Sequence, residues 1–397
     1  MVRYSIDELT EDMILGESIF LPTGELLLAA GFKIKDRYKD RLRELGYKSV
    51  LVEVEGTEEA HPEAVVSEEI QRKMYQEIES TSRNLSSTIK EIHKHSEEEI
   101  KNILHQNRAY LNKFILNTGM TKTLQEFIDE IMGQSSLVLN LSALKKANDS
   151  LLSHSLNVTI TSLCIGRKYR FPYNELKELG IGALNFDLGL VALPKKLLQK
   201  NMSDFDADES RLYRQHTIIG FMMLSQNHTV PATSSAVALQ HHERENGSGY
   251  PQGLTGDNRP PLKDFSRKHL IHRFAQIVAV AEVYDMFISG RPREKIEPMP
   301  AKDAIKKIIQ MSGTELNSDI VKTLCTMVPL YPVGTRVRIT RSPQSQMDGY
   351  FGVVAKDNPD NLECPQVIIY ETKNHQKIKP VLIDFSKHSG YGIELLV

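Results

Sequence analysis

Between residues 150 and 290 the chain sets titratable groups into apolar, helix-forming stretches, and nothing else in the sequence constrains the fold as much. His154 sits in LLSHSLNVTI, Asp187 in GALNFDLGLVALP, His216 in YRQHTIIGFMML and Glu282 in IVAVAEVYDMF. A buried carboxylate or imidazole is costly unless a cation or a hydrogen-bond network meets it. Each residue alone reads as a histidine bonded to backbone, or an acid capping a neighbouring helix. Asp187 and Glu282 inside apolar helices need partners, and the histidines are the available co-ligands. A further stretch, HHERENGSGYP at 241–251, places His241 and His242 beside a turn containing Asn246, Gly247 and Gly249. Adjacent side chains on a regular helix or strand diverge, so the two imidazoles reach one point only where the backbone turns.

The 397 residues, 40 % of them apolar, suit two or three domains. Residues 1–55 carry short apolar runs around the turn PTG, and a helical stretch, KDRYKDRLRELGYK, with a glycine stop. They read as a small α+β module. Residues 56–66 are acidic and contain a proline, a linker composition. Over 67–113 the apolar residues Ile70, Met74, Ile78, Leu85, Ile89 and Ile92 are spaced by four, four, seven, four and three. That spacing predicts one long amphipathic helix, covered either by its own chain or by the same helix of a second copy in a homodimer. Residues 114–327 read as an all-helical domain, and 328–397 as a small β-rich module. The fold class is therefore mainly α, with a helical domain between two small flanking modules.

Net charge is −2, so no global basic field exists to hold nucleic acid or an anionic membrane. Cys164, Cys325 and Cys364 are odd in number and far apart, which suits a reducing compartment. No apolar run approaches the roughly 18–20 residues of a membrane span, and MVRYSIDELTEDM lacks a signal peptide's basic start and apolar core. A cytoplasmic protein is expected.

HHERENGSGYPQGL resembles the HHE-xx-DG-x-GYP-x-GL signature of HD-GYP domains, the bacterial branch of the HD metal-dependent phosphohydrolases that hydrolyses cyclic di-GMP. Asn246 stands where Asp is usual. LSHSLNV and HTIIGFMML are similar to the family's first and middle metal-binding His segments. VAVAEVYDMFISGRP is similar to its later Asp segment, with Glu282 at the ligand Asp and Arg291 at a phosphate-contacting Arg. The N-terminal DMILGESIFLPTGELLLAAG resembles a small domain often found ahead of such domains. The resemblance implies a divalent metal centre of one or two ions, iron or manganese favoured over zinc or nickel. His154, Asp187 and Glu282 would hold one ion. His216, His241, His242 and a bridging Asp187 would hold the other, with Tyr250 and Pro251 shaping the ligand pocket's rim. Arg293 and Lys295 lie near enough in sequence to join Arg291 at the phosphates, and the run RPREK reads equally as a solvated turn.

The chain departs from the family's His-Asp-x-Gly-Lys motif, reading Phe186-Asp187-Leu188-Gly189-Leu190. Phenylalanine cannot ligate a metal, and Leu190 cannot supply the ammonium that in the family helps neutralise phosphate. The two residues lie four apart, which on a helix is one face. Ser150 stands where some family members place a glutamate for a third ion. The expected function is a degenerate HD-GYP protein that binds metal and a cyclic dinucleotide, or a protein partner, with weak or absent hydrolysis. An active metal-dependent phosphodiesterase is the alternative, with Asp187 as its catalytic residue. A helical scaffold indifferent to nucleotides is a third reading.

Overall fold

In the computed structural model the described residues are 1–20, 26–45, 47, 49–89, 91–134, 137–139, 150–388 and 390–396. The turn PTG and the glycine stop at 46 lie outside them. The N-terminal module contains strands β1 (Val2–Ser5), β2 (Ile14–Leu15), β3 (Ile19–Phe20), β4 (Leu26–Leu28) and β5 (Ser49–Glu53), with helix α1 (Asp36–Glu44). β5 runs antiparallel between β1 and β2, and β3 pairs with β4. Leu15, Ile34, Leu42 and Val52 fill its core. Residues 56–66 form no helix or strand, yet Thr57, Ala60 and Val66 are buried, so this linker is docked along its length rather than free.

The expected single helix over 67–113 is instead three helices and a turn. Helix α2 (Glu68–Thr88) buries Met74, Ile78 and Leu85; Ile89 then leaves helical geometry and Glu91 turns left-handed at φ 59°. The cause lies in the run Ser86-Ser87-Thr88, whose hydroxyls donate to the carbonyls of Ser82, Asn84 and Asn84. Such bonds compete with the backbone ladder and weaken a helix end. Helix α3 (Glu97–Gln106) restarts on a capping box of Ser96 and Glu99, and α4 (Arg108–Phe114) follows. The apolar stripe joins the core of its own chain, packed on α5 (Thr118–Gly133) and the domain beyond. The ground for pairing it with a second copy is thereby removed.

The helical domain continues through α6 (Ser150–Lys168), α7 (Tyr173–Leu184), α8 (Lys195–Gln199), α9 (Ala207–Ser225), α10 (Ala232–Gln240), α11 (Arg273–Ser289), α12 (Ala301–Met311) and α13 (Ser318–Cys325). Prolines 172, 194 and 231 immediately precede α7, α8 and α10, and Asp206 with Glu209 boxes the start of α9. Helix α11 is buried nearly all round, so it runs through the middle of the bundle and carries its polar residues inside.

The C-terminal module is one antiparallel sheet in the order β10-β6-β7-β8-β9: β6 (Arg336–Arg341), β7 (Phe351–Lys356), β8 (Gln366–Glu371), β9 (Lys377–Asp384) and β10 (Gly392–Leu395). Val337, Ile339, Val354, Val367 and Ile369 fill one face. The other face, with Val353, Ile368 and Tyr370, packs on Val2 and Ala60. Arg336 adds an ion pair with Glu8 at 2.9 Å. The two flanking modules, bridged at Glu8 and Arg336 across 328 residues of sequence, thus share a core.

Candidate metal centre

Asp187, His216, His241 and His242 each bring one donor atom into a group whose members all lie within 4.8 Å of one another. Asp187 does not sit in a helix, as the apolar run around it suggests. Helix α7 stops at Leu184, and Asp187 caps a short 3-10 turn, Leu188–Ala192. Phe186 and Leu190 therefore do not share a helical face: one precedes that turn and the other lies within it. Gly189 brings the turn against α9, since a Cβ there would stand 1.9 Å from the carbonyl oxygen of His216 and 2.7 Å from the nitrogen of Gly220. His241 follows α10 directly, where the chain turns.

The histidine tautomers give this cluster its chemistry. His216 Nδ1 lies 2.7 Å from the carbonyl of Tyr213, and His241 Nδ1 lies 3.2 and 3.1 Å from those of Val237 and Ala238. A carbonyl only accepts, so both Nδ1 atoms carry the proton and both Nε2 atoms present lone pairs when the rings are neutral. Those two Nε2 atoms are 3.4 Å apart, and each faces Asp187 Oδ1, at 3.5 and 3.6 Å. With both rings neutral, three electron-rich atoms converge with no hydrogen between them, an arrangement that needs a cation, either a proton on one ring or a metal ion. The separations are about those that bonds of ~2.1 Å to one shared ion impose, and an Nδ1–H held by a carbonyl is the usual orienting contact of a ligating histidine.

Charges in the cluster respond accordingly. Burial pushes the Asp187 carboxyl up, but the bond from His241 and the charges of His216, His241 and His154 outweigh it and hold the acid well below its ordinary range. Burial lowers His216 to about 4. For His241 burial is again the largest influence, yet Asp187 and Glu282 together raise it. His242 is driven well down, first by burial and then by the neighbouring cations. The pocket thus holds a carboxylate at Asp187 and neutral imidazoles at His216 and His242, the protonation states a divalent ion requires, while the proton that Asp187 and Glu282 favour on His241 is one such an ion would displace.

His154 and Glu282 are not members of this group of mutually close donors. His154 Nδ1 is 2.6 Å from Asp285 Oδ2, while its buried Nε2 has no hydrogen-bond partner. Between His154 and His241 stands Phe186, fully buried, edge-on to both rings at 5.5 and 5.0 Å. Glu282 is half-buried, and its charge acts on His241 and Tyr250. The side chain of Ser150 lies outside the described residues.

The HHERENGSGYP loop is clamped from within. The buried Glu243 accepts the backbone N–H groups of Gln252 at 2.7 Å and Leu254 at 2.9 Å, and Glu245 accepts that of Asn258 at 3.0 Å. Asn246 Oδ1 accepts the Ser248 N–H at 3.0 Å, a turn an Asp makes equally well. Gly249 is obligatory, because a Cβ would meet Glu243 Cα at 2.4 Å. The result stacks Tyr250 on His242, centroids 4.7 Å apart, with the Arg214 guanidinium 4.9 Å beyond the phenol ring. Pro251 follows in the same loop, half-buried. Arg291 is close enough for its charge to act on His242 and Asp285. Arg293, by contrast, donates to the carbonyls of Lys200 and Leu197, both at 3.3 Å, and Lys295 is exposed in a left-handed turn.

Sequence reasoning passed over Asp285, which orients His154, and Asn157, which donates to Asp285 at 2.7 Å. The available signal was an acid one helical turn after Glu282 in the same apolar run. It also passed over Glu243, a carboxylate that supports the loop and not a ligand.

The family model described as HD domain matches residues 135–320. The chain is 28 % identical over 267 residues to a cyclic di-GMP phosphodiesterase of Pseudomonas aeruginosa, covering 66 % of this chain and 59 % of that protein. It is 24 % identical over 220 residues to a 3'3'-cGAMP-specific phosphodiesterase of Vibrio cholerae, covering 55 % of this chain and 39 % of that one. The chain thus spans less than two thirds of the length of each of these curated relatives. Among solved structures, a protein described as HDG"Y"P from Bdellovibrio bacteriovorus is 17 % identical with a TM-score of 0.44, covering 81 % of this chain and 97 % of that one. The segment 135–320 of this chain is an HD domain.

Proposed function

We propose that this chain is a degenerate HD-GYP protein, which holds a divalent ion on Asp187, His216, His241 and His242, binds cyclic di-GMP or a related cyclic dinucleotide, and hydrolyses it weakly or not at all. The observation that carries the reading is the Phe186 ring, buried between His154 and His241 where a second set of donors would have to close. A ring offers no lone pair, and Leu190, 4 % exposed, offers no charge to a phosphate. A divalent ion in the four-donor group would polarise a phosphoryl oxygen and acidify a bound water; imidazole with carboxylate suits iron or manganese, and zinc or nickel also. Asp187 keeps its charge at neutral pH, Tyr250 and Pro251 shape the rim, and Arg291 meets a phosphate. The output of such a domain is occupancy, read by a protein partner.

The unbonded Nε2 of His154 favours a second reading, an active phosphodiesterase in which His154 and Glu282 still draw in another ion. Full-length protein prepared anaerobically with iron or manganese separates the two. Calorimetry is expected to give saturable cyclic di-GMP binding with little or no linear product. Turnover abolished by Asp187→Ala would establish the active reading, and absence of binding would leave a scaffold.

A further inference from the structure

A cavity of about 1080 Å³ opens beside Asp187, between α2 and the segment 184–198. That is ample for a dinucleotide-sized ligand, since small-molecule sites run from about 300 to 1,000 Å³. Its floor next to Asp187 is apolar, formed by Leu188, Leu190 and Val191. Most of its basic side chains already have partners. Arg83 pairs with Glu79 at 2.7 Å, Lys94 pairs with Glu91 at 2.8 Å, and His93 Nδ1 bonds the Ala192 carbonyl at 2.8 Å. Lys195 and Lys196 are different: both are exposed at the cavity wall, and neither makes an ion pair or side-chain hydrogen bond among the described residues.

We propose that Lys195 and Lys196 hold one phosphate of the cyclic dinucleotide in this cavity, with a base lying on the apolar floor and the ligand reaching toward Asp187. The proposal rests on the function given above. A cyclic dinucleotide carries two separated negative phosphodiesters in a ring with its riboses, and two flat bases attached to them, so it matches a cavity with Asp187 of the cation-binding cluster at one place, free ammonium groups at another and apolar surface between. Lysine ammonium groups act on phosphate as point charges and need no fixed fork, which suits two adjacent residues at the start of a short helix. The opposite wall includes Ser82 and Ser86 of α2, which lie outside the segment matched by the family model. A ligand here would join α2 to the HD domain and report its presence outside that domain.

The test uses full-length protein and cyclic di-GMP, by calorimetry at two salt concentrations. Lys195→Glu with Lys196→Glu is expected to weaken binding by roughly tenfold or more and to flatten its salt dependence. Lys373→Glu with Lys377→Glu, the same charge change on the distant C-terminal sheet, is expected to shift affinity by less than about twofold. Hydrogen exchange in α2 is expected to slow on ligand addition to the native protein. Native binding with both double variants equally unaffected, or with no protection of α2, overturns the proposal and leaves the functional reading standing. Absence of native binding overturns both.

Discussion

The position of Asp187 depends on an atom that is not there. Gly189 lies so close to α9 that a methyl group would overlap the carbonyl oxygen of His216, and backbone atoms cannot step aside as a flexible side chain can. Gly189→Ala should therefore push Asp187 away from His216 and His241. Elemental analysis is expected to find less than about half the native metal in a chain whose circular dichroism still reports a helical fold. Phe186 is the second decisive residue. Phe186→His with Leu190→Lys returns an imidazole and an ammonium to the cluster, and cyclic di-GMP hydrolysis, measured as linear product, is expected to rise by about a hundredfold or more. Phe186→Ala should restore no turnover and cost about 3–5 kcal/mol in chemical denaturation, because the ring is wholly buried.

At the scale of elements, helix ends position the site, and one of them brings a pH dependence. His272 caps α11 by accepting the Phe274 N–H, and burial pushes its imidazole down to about 4. The unfolded chain binds a proton there from about 6.5 downward while the folded chain does not, so acidification between those values favours unfolding. His272→Asn keeps a capping side chain and removes the titration. Its thermal midpoint is expected to fall less than the native one between pH 7 and pH 5, by scanning calorimetry. Helix ends were also where the sequence was hardest to read. Spacings of four, four, seven, four and three are satisfied equally by one helix and by a helix with a turn at Ile89, since both deliver Ile92 to the core. The run around Asp187 is apolar throughout because its turn is buried, which erases the usual polar signature of a break. The residue types that could converge were legible from cost alone: acids and imidazoles in apolar surroundings must find partners. Asp285 was hidden by Glu282, one turn away in the same helix, because burial there raises the same question for both.

Across the whole molecule, the flanking modules are coupled to each other more than the chain order suggests. Val2 is fully buried in a cluster with Val353, Ile368 and Tyr370. Contacts across more than 300 residues leave no periodic trace in either segment, which is why the two modules read separately in the sequence. Val2→Asp would place a charge in that shared core at a cost of about 3 kcal/mol or more. Limited proteolysis is expected to cut sooner within both the β1–β5 and β6–β10 sheets, while the helical domain persists. The metal centre stands on three lone-pair-bearing atoms, from His216, His241 and Asp187, facing one another across 3.4 to 3.6 Å. Elemental analysis of the native protein, set beside His241→Ala, tests this most directly. About one divalent ion per chain, lost in the variant, is the expected result. A folded native chain that takes up no ion under saturating iron or manganese would contradict the convergence itself, and two ions per chain would contradict the role given to Phe186.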